Sequence, residues 1–258
     1  MDEDTDIGGH ANRFPATKYS AIIAASSDDQ EVRQRAFTTI VESYWKPAYK
    51  YLRIKWQASN EDAKDLTQGF FATAIEKRYL DSYDSAKASF QTFLRTCLDR
   101  FVANQRKSER RLKRGGGADH FSLDFGEAEN ELFLQARVSE MTAEEYFHQE
   151  WVRSFIVLAI EALRRHYAEK GSSVYFQLFE LYDMREDEQR ANEDSSMPRV
   201  SYASLAREFG LTTAEVTNYL AAARREFRKI VLANLHEVTA TEEEFRAEAR
   251  SLLGVEIK

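Results

Sequence analysis

The chain of 258 residues holds one cysteine, three prolines and ten glycines, and each shortage excludes something. A lone Cys97 allows neither an intramolecular disulfide nor a multi-cysteine metal site. Standing between Leu94, Leu98 and Phe101 at helical spacing, it reads as a buried apolar thiol, which fits a reducing compartment. So few prolines and glycines leave little material for the turns of a strand-rich fold, and no segment alternates apolar and polar residues over strand length. No apolar run reaches about 18 residues and no signal peptide is recognisable, so a cytoplasmic protein without a membrane span is expected. The five histidines, His10, His120, His148, His166 and His236, share no i, i+4 spacing and have no adjoining cysteine or paired carboxylate. Neither a zinc centre, another cofactor nor an enzyme is expected from them.

What is present is a globular composition, 43% hydrophobic and 31% charged, patterned with helical periodicity throughout. The expected fold class is all-α: two helical domains joined by a flexible linker. An acidic N-terminal segment, 1–12, is expected to be disordered. A first domain spans 13–114. It opens with a helix from about Asp29 to Tyr44 whose inner face is Val32, Ala36, Phe37, Ile40, Val41 and Tyr44, and Pro47 bends the chain. A second helix from Ser59 or Asn60 carries DAKDLTQGFFATAIE, with Leu66, Phe70, Phe71, Ala74 and Ile75 inward. A third runs from about Phe90 into a basic end. The triglycine Gly115 to Gly117 opens a linker, 115–141. It follows no strand and precedes no Lys-Ser/Thr pair, so it does not match a phosphate-cradling loop. The second domain, 142–235, begins with a long helix carrying Trp151, Phe155, Leu158, Ala159 and Ala162, and a tail, 236–258, adds a short capped helix ending at Gly254.

The most informative stretch is YASLAREFGLTTAEVTNYLAAARR, Tyr202 to Arg225. Leu205, Ala206, Phe209, Leu211, Val216, Tyr219 and Leu220 define two short helices meeting at Gly210, a residue able to take a positive φ at the corner. Thr212 or Thr213 can cap the second helix, and Glu215 suits its first turn. That is the pattern of a helix-turn-helix, in which the second helix enters the major groove of DNA.

A net charge of −7 does not oppose DNA binding, because phosphate neutralisation requires local rather than average positive potential. Between Arg95 and Arg114 eight basic residues stand against only Asp99 and Glu109. A second cluster, Arg224, Arg225, Arg228 and Lys229, follows the helix-turn-helix. Two separated basic patches suit two separated DNA segments, and a solvated helix face is the plain alternative for each.

The order of a helix with D-A-x-D-L-x-Q-x-F-F, an F-x-x-F-L helix running into arginines, a linker and a terminal helix-turn-helix resembles the extracytoplasmic-function branch of the sigma-70 family of bacterial RNA polymerase. The resemblance covers about residues 13 to 235. Arg13-Phe-Pro-Ala-Thr, Asp65-Leu-Thr-Gln-Gly-Phe-Phe and the triglycine are similar to one subgroup with an unusual clamp-binding helix. The resemblance implies a non-catalytic initiation factor with core RNA polymerase and promoter DNA as partners. Asp62, Asp65, Gln68 and Phe71 are then the polymerase-binding set. Tyr83, Arg95, Arg106, Lys107, Arg110 and Arg111 take the −10 element, since single strands are held by aromatic stacking beside cations. Thr213, Thr217 and Asn218 reach −35 base edges while Arg224, Arg225 and Arg228 hold phosphates.

This sequence departs from the family pattern at Lys64 and Gly69, positions normally acidic, and at Thr217 and Ala221, where Lys and His or Ser are common. The clamp-facing helix has lost negative charge, which weakens attraction to a basic partner. Thr67, between Asp65 and Gly69, is thereby a candidate phosphorylation site: a phosphate adds about −1.5 to −2 charges and would restore the deficit, with a serine/threonine kinase as a further partner. Against this stands a Thr67 that only hydrogen-bonds its own helix. The alternative function is a helix-turn-helix regulator or anti-activator that never joins the polymerase.

Overall fold

The computed structural model describes residues 20–109, 123–134, 141–184 and 200–253, and all regular structure among them is helical. A one-turn α1 (Ala21–Ala24) leads to α2 (Gln30–Lys55). Asp29 starts α2 by accepting hydrogen bonds from the amides of Glu31 and Val32 at 2.9 and 3.2 Å, the arrangement that satisfies unpaired first-turn donors. The helix runs past the end expected at Tyr44, and Pro47 lies inside it. Ser59 caps α3 (Asn60–Glu76), and a 3-10 turn, Tyr79–Ser82, precedes α4 (Phe90–Glu109).

The expected linker is not an unstructured strap. It contains α5 (Phe125–Leu134), whose Phe125 and Ala128 are buried. Phe125 meets the Trp45 ring of α2 edge-on at 5.4 Å. A capping box between Thr142 and Glu145 then opens α6 (Ala143–Glu169). Gly171, at φ +63°, breaks the chain into α7 (Val174–Phe179), which continues as a π-helical turn to Met184. The helix-turn-helix follows as α8 (Tyr202–Phe209) and α9 (Thr213–Glu237), and α10 (Glu242–Leu253) closes the described chain. α9 is much longer than the short second helix its motif suggests.

Among the described residues, burial is organised as three cores. The largest draws on α1 to α6, the end of α9 and α10. A second joins the end of α6 to α7 and Ala223. The third is the helix-turn-helix wedge with Leu178.

α6 feeds the first two cores through one row of residues four apart. Phe147, Trp151, Phe155 and Ala159 enter the large core, and Leu163 and Tyr167 enter the second. With 3.6 residues per turn, each four-residue step rotates about 40° around the helix, so the row winds through about 200°. Leu158 is off this winding row and is 37% exposed, contrary to its expected place in the core. Val32 at 37% and Ile75 at 40% are likewise on the surface. None of the helices among the described residues is long and apolar enough to cross a membrane.

Candidate nucleic-acid interface

The helix-turn-helix forms where the sequence places it. Gly210 takes φ +66°, ψ 31°, a left-handed corner that costs glycine nothing. Thr212, not Thr213, caps α9: its hydroxyl accepts from the Glu215 amide at 3.2 Å, and the Glu215 carboxylate accepts in return from the Thr212 amide at 2.7 Å. Hydrogen bonds from the Thr212 amide and hydroxyl hold the Glu215 carboxyl below its ordinary range. Leu205, Val216 and Leu220 are buried between the helices, with Phe209, Leu211 and Tyr219 packed around them.

On the solvent side, Thr213, Thr217, Asn218, Arg225 and Arg228 are placed on α9, and all five are exposed. The Thr217 hydroxyl donates to the Thr213 carbonyl at 2.8 Å. Arg224 does not belong with them as expected. Its Nε and Nη2 grip the Asp183 carboxylate, the closest approach being 2.7 Å, and its guanidinium lies 5.6 Å from the centre of the Tyr182 ring. A planar guanidinium so engaged fastens α9 to the turn after α7. The exposed face of α9 keeps Arg225 and Arg228.

The residues expected at the −10 element are divided. Lys107 is exposed, whereas Arg110 and Arg111 lie outside the described residues. Arg95 donates to the Glu144 carbonyl at 3.1 Å and sits over the Phe147 ring, so it joins α4 to α6 instead of standing free. Arg106 donates to the Trp56 carbonyl at 2.7 Å and stacks on that indole at 4.9 Å. Tyr83 is half-buried against Phe90 and Phe93, at 5.3 and 5.1 Å. Burial, then the Glu244 and Asp84 charges, push its phenol up to about 12.

On α3, Asp62 and Asp65 are exposed and Gln68 half-buried. Two expectations fail here. Phe71 is fully buried against Phe37 and Phe70, so it supports the helix from inside and offers a partner nothing. Thr67 is also fully buried, and its hydroxyl donates to the Ala63 carbonyl at 2.7 Å. It lies on the same stripe as Ala63, Phe70 and Ala74, not on the surface carrying Asp65, and a phosphate cannot occupy that space.

A Cβ on Gly69 would stand 3.4 Å from the Phe101 ring, an ordinary van der Waals contact, so packing against α4 does not itself require glycine there. Lys64 is paired with Glu61 at 2.9 Å, which offsets its charge locally.

A charged seam escapes sequence reasoning altogether. Lys46, Lys50 and Arg53 stand on one face of α2 at i, i+4 and i+7. Opposite, α5 supplies Glu131 to Lys46 and Lys50 at 2.7 and 2.6 Å, and Glu129 to Arg53 at 2.6 Å. Lys50, with no exposed side-chain surface, also holds Glu150 of α6 at 2.7 Å, itself 1% exposed. The Arg53 hydrogen bonds hold Glu129 below the ordinary carboxylate range. For Glu131, burial raises the pKa, but hydrogen bonds from Lys46 and Lys50 outweigh it and the net shift is downward. The alternate acids of EAENE and the three cations of α2 are visible in the sequence, but nothing local pairs them. Among the described residues no cluster of His, Cys, Asp or Glu suits a metal ion.

Comparison of the chain with known protein families, curated proteins and solved structures finds no match.

Proposed function

We propose that this protein is a sigma factor of the extracytoplasmic-function type, which binds core RNA polymerase and directs initiation by taking the −10 element with its first helices and the −35 element with its helix-turn-helix. The observation that carries this reading is the capped α8–Gly210–α9 corner, with Thr213, Thr217, Asn218, Arg225 and Arg228 together on the helix that follows it. Threonine and asparagine suit base edges, and the two arginines suit phosphates. A factor that joins the polymerase needs a second, polar docking face, and exposed Asp62 and Asp65 on α3 offer one. Regulation by a kinase at Thr67 would require α3 to lift from the core first, because the modified residue has no room in its present place.

Retention of core RNA polymerase by the immobilised chain, followed by run-off transcription, tests the proposal. Retention weakened by Asp65→Ala, together with promoter-dependent transcripts, is the expected result. DNA binding with no polymerase retention identifies a helix-turn-helix regulator instead. Replacing Arg225 and Arg228 together with glutamate should weaken DNA binding and flatten its logarithmic salt dependence by about two, roughly one unit for each phosphate no longer neutralised. An unchanged slope would make these arginines a solvated face only.

A further inference from the structure

The amino end of α4 is closed by a residue from the far end of the chain. Glu244 of α10 accepts the Phe90 amide through one carboxylate oxygen at 3.0 Å and the Ala240 amide through the other at 3.0 Å. One turn further along α10, Glu248 accepts from the Gln91 side-chain amide at 3.4 Å, and the Gln91 carbonyl meets His148 of α6 at 3.1 Å. Ala249 is fully buried, and Phe245, Leu252 and Leu253 pack beside it on the large core. α10 therefore covers the start of α4 from one side while Arg95, held by Glu144 and Phe147, closes it from another.

We propose that α10 is an internal latch which occupies the amino end of α4 and must leave before that end, with the Tyr83 loop, can take a single strand of DNA. The inference rests on the −10 assignment made above. Of the groups which that assignment needs, Tyr83 for stacking and Arg95 for phosphate stand at this end of α4. Both are engaged internally in this structure, Tyr83 against Phe90 and Phe93 and Arg95 on Glu144 and Phe147. The latch is a poor permanent fixture. Its Glu248 is pushed up to about 7, first by burial and then by the neighbouring Glu244 carboxylate. The other titratable side chains around this pair are Tyr44 of α2, raised by burial and by both carboxylates, Tyr83, and His148, which burial and then Arg95 lower. A helix seated on two crowded carboxylates and a few half-buried apolar side chains belongs to the part of a fold that opens locally.

The test uses the full chain, a Glu244→Ala variant and a Glu244→Gln variant. Amide hydrogen exchange at Phe90 reports the latch, and binding of a fluorescent single strand of about 20 nucleotides at fixed salt reports the face. Losing a capping acceptor should speed Phe90 exchange about fivefold or more in Glu244→Ala, with a similar gain in DNA affinity. Glu244→Gln, whose carboxamide oxygen can still accept the amide, should stay near the parent. Unchanged exchange at Phe90 overturns the latch. Faster exchange spread over all of α2 to α4 with weakened DNA binding also overturns it, because α10 is then an ordinary part of the core. Faster exchange at Phe90 alone with unchanged DNA affinity removes the −10 assignment and leaves a latch over a face that does not take DNA.

Discussion

The seam between α2, α5 and α6 and the helix-turn-helix wedge are built on opposite principles. The seam withdraws Lys50 and Glu150 from water and joins residues 76 to 100 positions apart. The wedge is apolar, and Leu205, Val216 and Leu220 come from one short stretch of chain, with Leu178 of α7 packed against them. Charge pairs inside a protein lose much of their attraction to desolvation, so they fix which partners meet more than how tightly they hold. Apolar packing has no such selectivity and holds by area removed from water. The helix-turn-helix corner is therefore held mainly by apolar contacts close in sequence, with Leu178 added from α7, while the seam fixes where α5 and α6 lie on α2.

The sharpest way to break this contrast is to remove one partner of the buried pair. Glu150→Ala strands Lys50 with Glu131 alone and should cost about 3–5 kcal/mol in urea unfolding, whereas joint replacement by Lys50→Met and Glu150→Leu should cost far less. Equal losses in both would make the seam an ordinary packed surface.

Leu220→Ala opens a cavity in the wedge and should cost about 2–5 kcal/mol. Its effect should be confined to amide exchange in α7, α8 and the first half of α9, with the seam unchanged. Loss of protection in α2 would show that the wedge is not independent.

A smaller effect comes from Glu248. Its folded pKa of about 7 lies above the ordinary 4.5, so the folded chain holds this proton more tightly than the unfolded one. The stability it contributes is complete below about pH 4.5 and is lost as pH rises through 7. Glu248→Gln should match the parent in melting temperature near pH 4.5 and exceed it well above pH 7. A constant difference across that range would remove the assigned proton.

How much could be read in the sequence follows the same division. Gly210, the Thr212 cap and the wedge at Leu205, Val216 and Leu220 were legible because each depends on neighbours within a few residues. Thr67 was legible too. It lies four residues after Ala63 and three before Phe70, on the stripe that packs inward, but the charge deficit at Lys64 and Gly69 drew attention to the surface instead. Arg224 could not be read correctly, because its partner Asp183 lies on another element 41 residues away. The same holds for Lys50, and for Glu244, whose bond to Phe90 spans 154 residues. Leu158 was misplaced because its local spacing suits a straight apolar stripe, and the row on α6 winds away from it.

That winding has a mechanical consequence. Between Ala143 and Glu169 there is no proline or glycine, so α6 is a stiff rod about 40 Å long at about 1.5 Å per residue. Phe147 at one end and Tyr167 at the other point to nearly opposite sides of it. Turning the rod to unseat Trp151 from α2 therefore swings Leu163 and Tyr167 through the same angle against α7. A torque applied at either end is delivered to the other, and the molecule has no way to rotate one end of α6 in private.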